Sequence, residues 1–338
     1  MMFPVDRRLG RNSVDMSRVG FGAWSTGGSS WAYGGTAERD DQSLAAMLNA
    51  FELGVNWIDT APIYGHGHSE ELVGRALKLV RGERPLVFTK CGRRWDSAET
   101  LPRSDHRPAS IRADCEASLR RLGVDAVDLL QFHWPDNETG TPVEESWGEL
   151  LRLVAEGKSR AAGVCNFDEE LLGRCEAVGH VESLQAPFSL IVRDVAGGLI
   201  QWCQEHGTRV IVYSPMQVGL LTDSFTAAHL EALAPEDWRR RHPEFQSPRL
   251  ERNLALRDAL RPIADAHSAT IASIAVAWAL SWPQVTGAIV GARTREQVDG
   301  WIDGGRIHLS EHDLDAIAAL VEESGAGSGP VRPAARVS

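Results

Sequence analysis

Residues 54–77 read GVNWIDTAPIYGHGHSEELVGRAL, and the reading of the whole chain turns on this stretch. A short apolar run, Val55-Asn56-Trp57-Ile58, stops on Asp59. A turn rich in Pro and Gly follows and carries Tyr64, and Ser69, Glu70 and Glu71 then open a helical pattern. A buried-type strand that ends on a carboxylate and passes through a loop into a helix is the βα unit of a parallel α/β protein. Such proteins place their chemistry at the carboxyl ends of the strands. Read alone, the stretch fits equally a surface Asp and a packing Tyr; the neighbouring strands decide.

Working outward, the same unit recurs. Val19-Gly20-Phe21-Gly22 is a first strand, preceded by a hairpin-like segment over 5–18. Leu86 to Thr89 ends on Lys90, Val127 to Phe132 on His133, Ala161 to Cys165 on Asn166, and Val210 to Tyr213 on Ser214. Leu184 to Ala186 is a weaker strand, and Ala288 to Val290 runs into Gly291-Ala292-Arg293. Helical spacing is expected from Asp40 and Asp41 (as caps) to Leu53, and over Pro108–Leu122, Val143–Glu156, Asp168–Val178, Asp194–His206, Asn253–His267 and Ile271–Trp282. Eight strands alternating with helices predict a (β/α)8 TIM barrel over 19–305, with a long loop and helical insertion after strand 7 that includes the charged segment Thr222–Arg252. A C-terminal helix over 306–324 and a Gly/Pro/Ala-rich flexible tail over 325–338 complete a single domain. An open doubly wound sheet is disfavoured, because Gly20-Phe21-Gly22 lacks the third glycine and the following helix of a dinucleotide turn.

Composition narrows the partners. The 338 residues carry a net charge of −11, which argues against nucleic acid and anionic membranes. No segment has the apolar length of a membrane span or the core of a signal peptide. The five cysteines contain no CxxC pair and fit free thiols in a reducing cytoplasm. The sequence leaves the oligomeric state open.

In a parallel barrel, Asp59, Lys90 and His133 come from three consecutive strands and project into one mouth, with Tyr64 above them. Core filling does not account for four ionisable groups of four types, since desolvated charges are costly unless paired. A phenol with a pKa of about 10 exchanges protons poorly at neutral pH. A neighbouring ammonium favours the phenolate and lowers that pKa, a carboxylate holds the ammonium, and an imidazole orients a carbonyl oxygen beside the phenol. That set can protonate an oxygen on which negative charge develops, as carbonyl reduction requires. No side chain supplies a hydride, so the chemistry calls for a nicotinamide cofactor.

The segments DTAPIYGHGHSEELVGRAL, FTK, LLQFHWPD, GKSRAAGVCNF, VYSPMQVGLLT and IVGARTREQV, in this order over roughly residues 5 to 320, resemble those of the aldo-keto reductases. The resemblance implies that Tyr64 is the acid/base, that Lys90 and Asp59 tune it, and that His133 orients the substrate carbonyl. It implies a nicotinamide site at Gly22, Trp24 and Asp59, with Cys165, Asn166 and Gln185 at the carboxamide and Tyr213 stacked on the ring. Ser214, Met216, Gln217, Gly219 and Leu220 would follow the pyrophosphate. Gly291, Arg293 and Gln297 would grip an adenosine 2′-phosphate, which makes NADPH the expected cofactor. Asp223-Ser224 where relatives have Gly-Lys, and Trp301 where they often have Asn near the adenine, keep NADH in play. The implied activity is NAD(P)H-dependent reduction of an aldehyde or ketone, sugar-like substrates included.

Trp31, Tyr33, Trp95 and Trp134, on loops after strands one, three and four, suggest an aromatic substrate wall. Two other functional classes compete with this reading. His66-Gly67-His68 is similar to the HxH of metal-dependent barrel hydrolases, but the later strands offer Asn166, Ser214 and Gly291 rather than further ligands. A nicotinamide-sensing regulatory subunit would not need the complete set of Asp59, Tyr64, Lys90 and His133.

Overall fold

The computed structural model describes residues 7–10, 15–28, 37–95, 102–235 and 237–333. Trp31 and Tyr33 lie outside the described residues. Eight strands, β1 (Val19–Gly22), β2 (Trp57–Asp59), β3 (Leu86–Cys91), β4 (Leu129–Phe132), β5 (Ala162–Cys165), β6 (Ser183–Pro187), β7 (Arg209–Tyr213) and β8 (Val285–Gly291), form a closed barrel in the order β1-β8-β7-β6-β5-β4-β3-β2. Every pairing in it is parallel, with β1 joined to β8 through Val19↔Ala288 and to β2 through Gly22↔Asp59. The chain is thus a (β/α)8 barrel.

Side-chain parity explains what reaches the lumen. Trp57, Leu86, Phe88, Leu129, Ala161, Ile211 and Ile289 form the inner core together with Leu9 and Met16 of the N-terminal segment. Residues two further along each strand share that face. Trp57 therefore leads to Asp59, Phe88 to Lys90, Leu129 to Gln131 and then His133, and Ile211 to Tyr213. The alternate residues (Ile58, Val87, Leu130, Phe132, Val164) pack outward against the helices. Trp57 fills the lumen where β1 and β8 carry glycine. A Cβ on Gly20 would lie 2.2 Å from its ring, and one on Gly287 2.9 Å.

The helices are α1 (Ala37–Glu52), α2 (His68–Leu79), α3 (Pro108–Leu122), α4 (Val143–Ala155), α5 (Glu169–Glu176) and α6 (Leu199–His206), followed in the long insertion by α7 (Ala227–Glu231), α8 (Arg249–Ala259), α9 (Arg261–Ala266) and α10 (Ile271–Ala279), and then by α11 (Arg295–Asp299) and α12 (Glu311–Ser324). Among the described residues, no helix is long and apolar enough to cross a membrane.

Several expectations need correction. Asp40 and Asp41 lie inside α1 rather than capping it, where carboxylates still suit the N-terminal dipole. The helix expected over Asn253–His267 is two, α8 and α9, with Pro262 in the first turn of the second. Asp194–Gly197 is a 3-10 turn that precedes α6. The segment Thr222–Arg252 is not irregular throughout: it buries Phe225 and Phe245, with ring centroids 5.7 Å apart, and contains α7 and two 3-10 turns. Residues 325–333 of the expected flexible tail fold back on the barrel. The buried Arg193 guanidinium donates to the carbonyls of Ala326, at 3.2 Å, and of Gly329, also at 3.2 Å.

Candidate active site

Asp59, Lys90 and Gln185 meet at the carboxyl end of the lumen. Lys90 Nζ donates to Asp59 Oδ1 at 2.5 Å and to the Thr60 carbonyl at 3.0 Å. Gln185 Nε2 donates to the other carboxylate oxygen, Oδ2, at 2.9 Å. Lys90 is 1% exposed and Asp59 3%. Two buried opposite charges in contact, each with a further hydrogen bond, satisfy the condition under which ionised groups persist in a core. Lys90 Nζ also lies 5.3 Å from the centroid of the Tyr64 ring.

Tyr64 is held by its loop. Its N–H bonds to the Ala61 carbonyl, and it shares with Ala61 and Ile63 a buried cluster against which Trp24 and Trp95 pack. Behind it, Ser69 Oγ bonds to the hydroxyls of Thr26 (3.0 Å) and Thr60 (2.9 Å) and to the Ala23 carbonyl. That network ties the loops after β1 and β2 to α2. Glu70 is fully buried, accepts from Thr89 Oγ1 and Arg121 Nε (2.6 Å each), and so fixes α2 against β3 and α3. Ser69 and Glu70 thus lie in the opening turn of α2, which starts at His68 after Gly67, and their side chains are internal positioning groups.

Electrostatics set the protonation states. Burial raises the Tyr64 pKa to about 12, with Asp59 and Cys165 adding to the rise and Lys90 opposing it. The lowering expected from a neighbouring ammonium is present but outweighed, because a phenolate in this enclosure is desolvated. For Lys90, burial favours the neutral amine, yet Asp59 and Tyr64 together push its pKa up, so it is an ammonium. His133 is pulled well below the ordinary histidine range by burial, then by Lys90 and Arg93, and is a neutral imidazole. Its ring meets Tyr64 edge-on at 5.6 Å, and its Nδ1 is buried without a partner among the described residues. Burial likewise raises the Cys165 thiol, which stays protonated.

The remaining expected residues fall around the same mouth with different degrees of engagement. Tyr213 donates to Asn166 Oδ1 at 2.8 Å, and Asn166 Nδ2 donates to the His133 carbonyl at 3.2 Å. Asn166, Ser214 and Gln217 all take positive φ, as does Val218, so the chain turns sharply just beyond β5 and β7. In the turn after β7 the N–H groups of Gln217, Gly219 and Leu220 bond to carbonyls of the turn itself. The Leu220 side chain is in the core, and Gln217 accepts from Ser189 Oγ. Ser214 and Met216 are partly exposed. Gly22 and Gly291 pair across β1 and β8, and a Cβ on Gly22 would meet Ile289 at 2.6 Å. Gln297 Oε1 accepts from Arg293 N at 2.7 Å.

Arg293 has its pKa lowered by burial and by the charges of Arg239 and Arg39, with Asp237 opposing. Arg39 of α1, Arg239 of the insertion and Arg293 of the β8 loop are thus electrostatically coupled, with Asp237 among them. Arg239 and Asp237 form a two-point pair, Nε–Oδ1 3.0 Å and Nη2–Oδ2 2.7 Å. Asp223 is used elsewhere, by the Arg261 guanidinium and by the Ile271 N–H at the start of α10. Trp301 is 2% exposed within the core, so it offers no surface at an adenine site. Of the proposed aromatic wall, Trp95 packs against the cluster that contains Tyr64, whereas Trp134 is 45% exposed. The two histidines of His66-Gly67-His68 diverge: His66 lies 5.2 Å from the Trp95 ring, and His68 Nε2 pairs with Asp40 at 2.9 Å.

The profile of the Aldo/keto reductase family matches residues 18–322. The NADH-specific methylglyoxal reductase of Escherichia coli (strain K12) is 33% identical over 325 residues, covering 93% of this chain and 97% of that protein. Among solved structures, the glycerol dehydrogenase of Gluconobacter oxydans superposes with a TM-score of 0.86 at 34% identity, covering 98% of both chains. An aldo-keto reductase from Klebsiella pneumoniae in complex with NADPH gives a TM-score of 0.69 at 25% identity, covering 98% of this chain and 99% of that one.

Proposed function

The chain belongs to the aldo/keto reductase family, whose chemistry is NAD(P)H-dependent carbonyl reduction, and we propose that it reduces a small aldehyde or ketone to the alcohol with NADPH as preferred donor. The observation that carries this reading is the buried Asp59–Lys90–Tyr64 set with a neutral His133 at its edge. When bound, the dinucleotide supplies the hydride. The chain's own residues manage the proton. Tyr64, protonated at neutral pH, donates to the carbonyl oxygen as negative charge grows on it. The Lys90 ammonium beside the ring stabilises the phenolate left behind, and Asp59 with Gln185 keeps that ammonium in place. His133, being neutral, acts as a dipolar partner for the carbonyl oxygen rather than a competing acid.

Arg293, with Arg39 and Arg239 coupled to it, fits a phosphate dianion, and guanidinium forks suit phosphate geometry. This favours NADPH over NADH despite the NADH-specific relative. The relatives named for methylglyoxal and glycerol point to small oxygenated substrates, sugar-like ones included. The test is NADPH-coupled turnover on a panel of carbonyl compounds with wild type and Tyr64→Phe. Loss of the general acid is expected to cost about 100- to 10,000-fold in kcat with NADPH affinity nearly unchanged. A variant that keeps most of its rate would reassign the proton donor, and tight NADPH binding by wild type without any turnover would favour a cofactor-sensing role.

A further inference from the structure

Beyond α12 the chain lies against the turn that follows β6, and that turn is bonded to the one that follows β7. Gly327 takes φ +65°, and a Cβ on it would fall 1.9 Å from the Ile191 carbonyl oxygen, so only glycine lets the two backbones approach this closely. The Ser328 N–H reaches the same carbonyl at 3.4 Å, and Ser328 bridges Val192 in parallel. One step further in, Ser189 is fully buried and its hydroxyl uses its whole bonding capacity. It accepts from the N–H groups of Ile191 (3.1 Å) and Val192 (3.0 Å) and donates to Gln217 Oε1 (3.0 Å). A second tie runs from the Phe188 N–H to the Tyr213 carbonyl at 3.1 Å. Gln217 and Val218 have φ of +45° and +54°, a region that a β-branched residue such as valine rarely enters. Such a backbone persists only where its surroundings over-determine it, and Ser189 supplies one of those supports through the 6% exposed Gln217 side chain. An unbroken series of contacts thus runs from Gly327 and Ser328 through Ile191 and Val192 to Ser189 and Gln217.

We propose that the segment after α12 sets the affinity of the protein for its dinucleotide, with Ser189 as the residue that positions the turn after β7. The proposal rests on the reductase reading, in which that turn, Ser214 to Leu220, follows the pyrophosphate. Gly327 and Ser189 stand outside the groups assigned to proton transfer, so binding moves while the chemical step does not. Linkage makes the effect reciprocal: a segment that favours the binding form of the turn is itself held in place by the bound dinucleotide. Calorimetry on Ser189→Ala and Gly327→Val reads the first half. Each is expected to weaken the NADPH Kd about two- to thirtyfold, the range for substitutions along a coupled series of contacts. The single-turnover rate at saturating NADPH, with a carbonyl that the panel identifies, should stay within about twofold of wild type. The double variant should lose less than the product of the two single effects, because both act through the same contacts. Unchanged Kd in either variant, or strictly multiplicative losses, would overturn the role of Ser189. Hydrogen–deuterium exchange on wild type reads the second half without any substitution. NADPH should slow exchange in residues 325–333 more than in α3 on the far side of the barrel. No slowing in 325–333, or equal slowing in both, would overturn the linkage. Kd and exchange effects as expected with no carbonyl turned over would contradict the reductase reading and leave the linkage intact. Wild type that binds neither NADPH nor NADH would overturn both.

Discussion

Replacing Lys90 by Met keeps a flexible stem in the lumen and removes only the ammonium. The structure gives the consequence a definite size. Lys90 and Asp59 side chains are 1% and 4% exposed, so neither charge is shared with solvent. After the substitution Asp59 keeps Gln185 Nε2 as a donor, and the Thr60 carbonyl loses the one it had. Breaking a buried pair from one side costs about 3–5 kcal/mol, whereas an exposed pair is worth about 0–1 kcal/mol. Those ranges do not overlap, so urea unfolding can discriminate between them. Lys90→Met should lose about 3–5 kcal/mol, and the double variant Asp59→Asn/Lys90→Met should recover a large part by removing the stranded charge. The pH dependence has a fixed sign. The Lys90 pKa is raised on folding, so its contribution is complete below the ordinary lysine value of about 10.4 and is lost only as pH rises through the folded value. Wild type should therefore keep the full Lys90 contribution from about pH 6 to 9. A single variant within about 1 kcal/mol of wild type, or a double variant as unstable as the single, would refute the assignment of a desolvated pair.

Two further outcomes follow from the site. With Tyr64 raised to about 12 and His133 held neutral, kcat for reduction should be level from about pH 6 to 9; a titration near neutrality in a pH–rate profile would implicate another acid. Arg293→Ala should raise KM for NADPH by about tenfold or more while changing KM for NADH much less, and equal losses with the two cofactors would move the 2′-phosphate contact elsewhere.

The strand ends were legible because a period of two and a parallel barrel leave little freedom. Once Trp57 and Phe88 are core residues, Asp59 and Lys90 must face the same lumen. Burial was less legible. Sequence spacing gives Tyr64 its ammonium neighbour but not the degree of enclosure, and enclosure reverses the sign of the net pKa shift. Glu70 illustrates a similar gap. As a carboxylate in the first turn of a helix it suggests a surface capping role. Its actual partner Arg121 lies 51 positions away on α3, a pairing that local pattern does not encode. Nothing in GRRW predicts that Arg93 and Arg94 pair with Ser104 and Arg103 in a two-residue ribbon. Asp223 looked like a lost phosphate contact, and its tie to Arg261 and α10 emerges only from the tertiary arrangement.

The fold-back of the carboxyl-terminal segment ties the turn after β6 to residues 133 to 136 positions further along the chain. Arg193, just beyond β6, is 3% exposed and draws on carbonyls of Ala326 and Gly329, while the Ser328 hydroxyl reaches Asp194. Without residues 325–333 a buried guanidinium would be short of two of its acceptors, and each such loss costs about 1–3 kcal/mol. The corner after β6 is therefore completed by the far end of the described chain rather than by its own neighbourhood.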